Sequence, residues 1–165
     1  MRYGGLNMQK MGSAIVLIIL GLIVMAFPLL GVIPAAVLTG FVVLIFGLGL
    51  LLSGISEMDT SMGVGLVELI LGIIALVLGI GIIVNPALFA FIAGLIVFIV
   101  GLFLLIAGIM IVFTSDSNKW NGYVAIIIGI LYMIVGNFVS NPIYLGMLIG
   151  LWLLIMGILM LFQKD

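Results

Sequence analysis

A glycine, or once an alanine, returns every seven residues through each apolar stretch of this chain. The sets are Ala14 and Gly21; Gly40, Gly47 and Gly54; Gly65, Gly72 and Gly79; Gly94, Gly101 and Gly108; Gly122, Gly129 and Gly136; Gly150 and Gly157. Fifteen of the 23 glycines fall on this grid, so composition alone does not account for the spacing. On an α-helix a seven-residue step returns to nearly the same face, drifting by about 20°. Each helix then carries a stripe free of side chains, along which a neighbouring backbone can come close. Helices in hydrocarbon recognise one another in this way, because burying Leu against Leu gains little over leaving it in lipid. The helix-packing candidates are therefore Gly21, Gly40, Gly47, Gly54, Gly65, Gly72, Gly94, Gly101, Gly108, Gly122, Gly129, Gly150 and Gly157.

Composition sets the medium. Hydrophobic residues make up 67% of the chain and charged residues 5%, whereas soluble domains carry roughly 25% charge. Three apolar blocks run from Ser13 to Ser53, Gly63 to Phe113 and Trp120 to Phe162. Each is about twice the roughly 20 residues that cross a bilayer core as a helix, so each reads as a helical hairpin. The blocks are apolar on every face, unlike the alternating strands of a membrane barrel. The fold class is an all-α membrane protein, one transmembrane domain over 1–165. Six helices are predicted at about 13–32, 35–55, 63–84, 87–113, 120–138 and 142–162. They group as repeats at about 13–55, 63–113 and 120–162. Arg2 and Lys10 before the first apolar run resemble a secretory signal, but the run outlasts a signal core and no clean cleavage site closes it. A retained first span is expected.

The repeats are legible at both ends. The odd helices open with AIVLIILGL from Ala14, GLVELILGI from Gly65 and GYVAIIIGI from Gly122; the even helices close with GLGLLLSGI from Gly47, GLFLLIAGI from Gly101 and GLWLLIMGI from Gly150. Ala36, Ala90 and Gly146 each precede a grid glycine by four, a small-xxx-small pair suited to close crossings. Matching both ends of the sixth helix to the fourth requires removing one heptad from the sixth. The fourth helix is then expected to be the long one, tilted or protruding. Asn85-Pro86 and Asn141-Pro142 are turn and cap candidates, with Pro34 at the corresponding place in the first repeat. Asn favours the N-cap and Pro the first helical turn. Pro28, on the first helix's grid, should kink or end that helix.

Arg2, Lys10, Lys119 and Lys164 all fall in segments that six spans put on one side, and the three opposite turns carry no Lys or Arg. The positive-inside rule then places both termini in the cytoplasm, in a multi-pass protein of the inner or plasma membrane. Trp120 and Tyr123 stand where an interfacial anchor belongs. Glu57, Asp59, Asp116 and Asp165 read as solubilising charges of the connections and tail.

Glu68 is the only ionisable acid or base within the predicted spans; its counterparts in the other repeats are Leu17 and Ala125. Two readings are open. Near the third helix's N-terminus it can reach headgroups, Lys119 or Lys10, and favour the helix dipole. Alternatively it is a proton-sensing carboxylate. Tyr132, mid-span, needs a partner for its hydroxyl. Asn137, Ser140 and Asn141 make the last outer turn the most polar, with turn formation the simpler role and a cation site the alternative. Trp152 and the methionines read as lipid-facing or packing residues.

The chain has no Cys and no His. Thiolate chemistry, disulfides, Ser/His/Asp sets and HExxH zinc sites are thereby excluded. No intramembrane Asp pair and no phosphate-cradling loop are present. No catalytic residue, metal, cofactor or nucleic-acid partner is expected; the partner is the bilayer, with a homo-oligomer or another membrane protein as possibilities.

The recurring grid, the short Asn-Pro turn and the closing GLxLLxxGI resemble the short-repeat, six-span membrane proteins typified by the acid-resistance protein HdeD. The resemblance covers about Ser13 to Phe162. It implies an inner-membrane protein of three helical hairpins with a role in acid or envelope stress, and it implies no catalytic residues. The missing heptad of the last helix and Ile33-Pro34 in place of Asn-Pro depart from strict threefold equivalence. The expected function is structural or stress-protective. The alternatives are a small channel or transporter with a site between hairpins, and an accessory subunit of a larger membrane complex.

Overall fold

The computed structural model describes residues 4–114 and 119–163, and among these every element is an α-helix. The order is α1 (Gly4–Ala26), α2 (Leu29–Glu57), α3 (Met62–Val84), α4 (Pro86–Thr114), α5 (Lys119–Val139) and α6 (Pro142–Phe162). The helices α2 to α6 have the length and hydropathy of membrane spans, while α1 contributes a shorter apolar stretch, Lys10–Ala26. Arg2, Asp116, Lys164 and Asp165 lie outside the described residues.

Proline sets the first turn, and not where Pro34 was expected to set it. Pro28 lacks an N–H and its ring crowds the carbonyl four residues back, so α1 stops at Ala26. The Phe27 N–H still reaches the Ile23 carbonyl at 2.8 Å, and the Leu30 and Gly31 N–H groups then turn to the Phe27 and Pro28 carbonyls at 2.9 and 3.1 Å. Pro34 falls inside α2, one turn in. Starting at Leu29 gives α2 the same 29 residues as α4, so the fourth helix is not uniquely long. Both helices reach about 43 Å at 1.5 Å per residue, against 21 residues in α6, which does lack the extra heptad.

The chain divides into two compact units, Ile33–Phe89 and Met1–Val32 with Ala90–Asp165. In the first, α2 and α3 run antiparallel with Gly40 opposite Gly79, Gly47 opposite Gly72 and Gly54 opposite Gly65. In the second, α4 and α5 repeat this register: Gly94 faces Gly136, Gly101 faces Gly129 and Gly108 faces Gly122. Also in the second, α6 packs along α1 with Gly150 opposite Gly21 and Gly157 opposite Ala14. The close seams thus join an even helix to the next odd one, and the last helix to the first.

The interior of each seam is backbone. All fifteen grid glycines are buried. Among the described residues the buried hydrophobic ones are only Ala14, Val24, Val32, Ala36, Ile82, Ala90 and Val139, and no side chain larger than Val32 is fully buried. Leu, Ile and Phe side chains instead cover the outside. A water-soluble fold would bury such residues; helices in lipid have no cause to.

Candidate functional site

The seams are built from reciprocal rungs. A Cβ placed on Gly47 would meet the Gly72 carbonyl oxygen at 3.1 Å, and one on Gly72 would meet the Gly47 oxygen at 3.0 Å. The relation holds at 2.9 and 2.7 Å for Gly54 and Gly65, and at 2.7 and 2.8 Å for Gly101 and Gly129. Such approach lets the glycine Cα–H groups point at facing carbonyls, a weak contact of about 0.5–1 kcal/mol that gains weight by repetition. Three off-grid glycines differ. Gly12, Gly49 and Gly63 have nothing within 4 Å of an added Cβ.

The α1–α6 seam has one such reciprocal rung, Gly21 with Gly150, and a second contact in which Gly157 faces the Ala14 carbonyl, where the others have three rungs. Where a third would fall, α1 has already ended, and Gly146 of α6 instead packs on the Pro28 carbonyl. Beside this end Met25, Val135, Phe138, Tyr144, Met147 and Leu151 line an open apolar groove of about 330 Å³. Phe138 and Tyr144 meet edge to face there, with ring centroids 5.5 Å apart. Composition could not reveal this groove, because it arises from a missing heptad next to an early helix end.

The two Asn-Pro turns are alike in detail. The Ala87 N–H donates to Asn85 Oδ1 at 3.1 Å, and the Ile143 N–H donates to Asn141 Oδ1 at 2.9 Å. Pro86 and Pro142 open α4 and α6, where a missing N–H has no intrahelical partner to lose. Ser140 donates to the Gly136 carbonyl at 2.9 Å and packs against Gly94. Asn137 is exposed. Tyr132 and Trp152 are exposed on the apolar surface, as are Trp120 and Tyr123. Among the described residues no group of three or more acidic, His or Cys side chains could hold a metal ion.

Glu68 stands apart. It follows Gly65 by three and precedes Gly72 by four, so it shares their face of α3. Ala75, one heptad on, places its Cβ 3.1 Å from where a Cβ on Gly47 would be. One heptad earlier, a Cβ on Gly54 would meet the Gly65 carbonyl oxygen at 2.9 Å and Leu69 Cγ at 3.0 Å. The residue is half-buried, and its Oε2 is buried without a hydrogen-bond partner. A buried polar atom left unsatisfied costs about 1–3 kcal/mol, and more if charged. The sequence singled out Glu68 by its charge; that one of its oxygens is covered is visible only in the structure.

A family model described as a short repeat of unknown function (DUF308) matches residues 12–84 and again 70–140. The chain belongs to this short-repeat family. It is the family that contains the HdeD-like membrane proteins. The first matched segment holds the whole α2–α3 seam and the second the whole α4–α5 seam. No curated protein and no solved structure matches the chain.

Proposed function

We propose that this protein is a six-span, non-catalytic scaffold of the inner or plasma membrane, with both termini cytoplasmic and a protective role in acid or envelope stress. The observation that carries the scaffold reading is the reciprocal glycine–carbonyl rung, repeated in three seams. Backbone-to-backbone seams leave little room for a substrate, and the outward Leu, Ile and Phe side chains engage lipid over the whole surface. The apolar 17-residue stretch of α1 serves as the sixth span, at the short end of what a bilayer core requires. The stress role rests on the likeness to the HdeD-like proteins of the same family. The orientation rests on the Lys and Arg placement.

The test is deletion of the gene followed by acid challenge and an envelope-permeability assay, complemented by wild type and by Gly101→Leu. The expected result is lowered survival, restored by wild type and not by the variant. Unchanged survival together with an unchanged envelope would end the stress reading. Purified protein that conducts ions in liposomes would replace the scaffold with a channel. A partner of fixed stoichiometry in native membranes would make it an accessory subunit.

A further inference from the structure

We propose that the groove between α5 and α6 is a binding site for one acyl chain of an uncharged or zwitterionic membrane lipid. The proposal goes beyond the scaffold reading. It needs the chain to lie in a bilayer, and needs neither the stress role nor the orientation.

The groove follows from which helices pair. The helices α5 and α6 are joined by the short turn at Ser140 and Asn141, yet the glycine stripe of α5 packs on α4 and that of α6 packs on α1. The two sequence neighbours therefore share no glycine seam, and a space is left between them. Val135 and Phe138 of α5 stand on one side of it, Tyr144, Met147 and Leu151 of α6 on the other, and Met25 at the end of α1 completes the lining.

Residue numbers place the groove along the span. Tyr144 lies in the first turn of α6 and Leu151 near the middle of that 21-residue helix. From one to the other is about 10 Å at 1.5 Å per residue, against roughly 15 Å for one leaflet's half of the hydrocarbon core. The groove thus runs along α6 within the leaflet on the Asn141 side, in the direction of that leaflet's own chains.

Width selects the occupant. A volume of about 330 Å³ spread over about 10 Å of helix leaves a mean cross-section of about 33 Å². A helix about 10 Å across covers about 80 Å². Helix docking in lipid also calls for small residues at the contact, and the glycines of this part of α6 are taken: Gly146 packs on the Pro28 carbonyl, Gly150 on Met25 and the Gly21 carbonyl. Seven lining side chains fall far short of the roughly 20–30 residues a side of a stable protein interface. Water needs polar partners, and no polar atom faces the groove. A hydrocarbon chain is narrow, flexible and satisfied by dispersion contact, which the Phe138 and Tyr144 rings and two thioether side chains supply.

Charge sets the headgroup. Residues 11–56 and 120–163 contain no Asp, Glu, Lys or Arg, so nothing beside the turn favours a lipid of either net charge. Asn137 and Asn141 are exposed there, and Asn141 carries amide N–H donors besides the Oδ1 that accepts from the Ile143 N–H. Neutral amides suit the ester and hydroxyl oxygens of an uncharged or zwitterionic lipid.

The experiment reconstitutes the full chain in vesicles of phosphatidylcholine and phosphatidylglycerol in equal amounts, then transfers it to mild detergent for native mass spectrometry. We expect one retained phospholipid per chain, of both kinds in the ratio offered. Met147→Trp and Leu151→Trp, which put an indole into the groove, should lose it. Phe103→Trp, at an exposed position of α4, should keep it. A measurement on the wild type alone guards against a variant that misfolds. Phosphatidylcholine with a photoactivatable diazirine midway along one chain, illuminated after the same transfer, should label peptides holding Met25, Phe138 or Met147 and spare the one holding Phe103. Folded wild type that retains no lipid, retention undiminished in both groove variants, label spread evenly, or selective retention of the anionic lipid would each overturn the proposal. So would a dimer that Met147→Trp disrupts, which would give the groove to a second copy of the chain.

Discussion

The α2–α3 and α4–α5 seams carry the same three rungs in the same antiparallel register, yet differ in what stands between them. Where α3 has Glu68 and Ala75, α5 has Ala125 and Tyr132. The rungs hold the backbones apart by a fixed distance set by carbonyl and Cα–H contacts. Residues three and four places away lie at the edge of the seam and are free to vary in size and charge. Spacing and chemistry are thus carried by different positions of one heptad. A function specific to one seam is to be sought between its rungs.

The sharpest way to break the likeness is to fill a rung. Gly101→Leu would drive its Cβ into the Gly129 carbonyl and the Met133 N–H, both 2.7 Å away. Backbone cannot yield as a side chain can, so a loss of about 3 kcal/mol or more is expected. Gly47→Leu in the other seam should do the same, read as loss of heat-resistant, protease-resistant protein in detergent. Equal damage in both seams would mark the rungs as equivalent; tolerance in either would separate them.

Moving the acid tests the difference between the seams. Ala125→Glu places a carboxyl in the α4–α5 seam at the position Glu68 holds in α2–α3. Stability should drop by about 1–3 kcal/mol, as measured by thermal denaturation. A variant as stable as the wild type would show that this position lies outside the seam.

Smaller effects grade the glycines. An added methyl at Gly31 meets only side-chain atoms, Val24 Cγ1 at 2.6 Å and Ile149 Cγ2 at 3.3 Å. Those can shift, so Gly31→Ala should lose about 1 kcal/mol at most. Gly49→Ala, on a helix face with nothing within 4 Å, should be neutral or gain up to about 1 kcal/mol from helix propensity. Thermal shifts of the two variants set against Gly101→Ala would rank crowded and open glycines on one scale.

Much of this arrangement could be read along the chain. Apolar length announced the helices, and Pro28 announced an early end to α1, since a residue with no N–H cannot continue the ladder there. The start of α2 could not be read in the same way. Aligning Pro34 with the Asn-Pro turns assumed that all three turns fall at equal distance from the grid, and Pro28 had already made the turn six residues earlier. Glu68 was visible as the one charge in an apolar stretch, but whether its carboxyl reached outward or lay in the seam depended on a neighbour the sequence does not name.

Six helices bearing one heptad pattern present six nearly interchangeable stripes. Periodicity therefore determined that the faces exist, which residues lie on them, and that the remaining apolar surface belongs in lipid. It could not choose partners, because any antiparallel pair of such stripes can match glycine to glycine. Tertiary structure made that choice, joining α2 to α3, α4 to α5 and α6 to α1, and so decided where each rung falls and which carboxyl oxygen is covered.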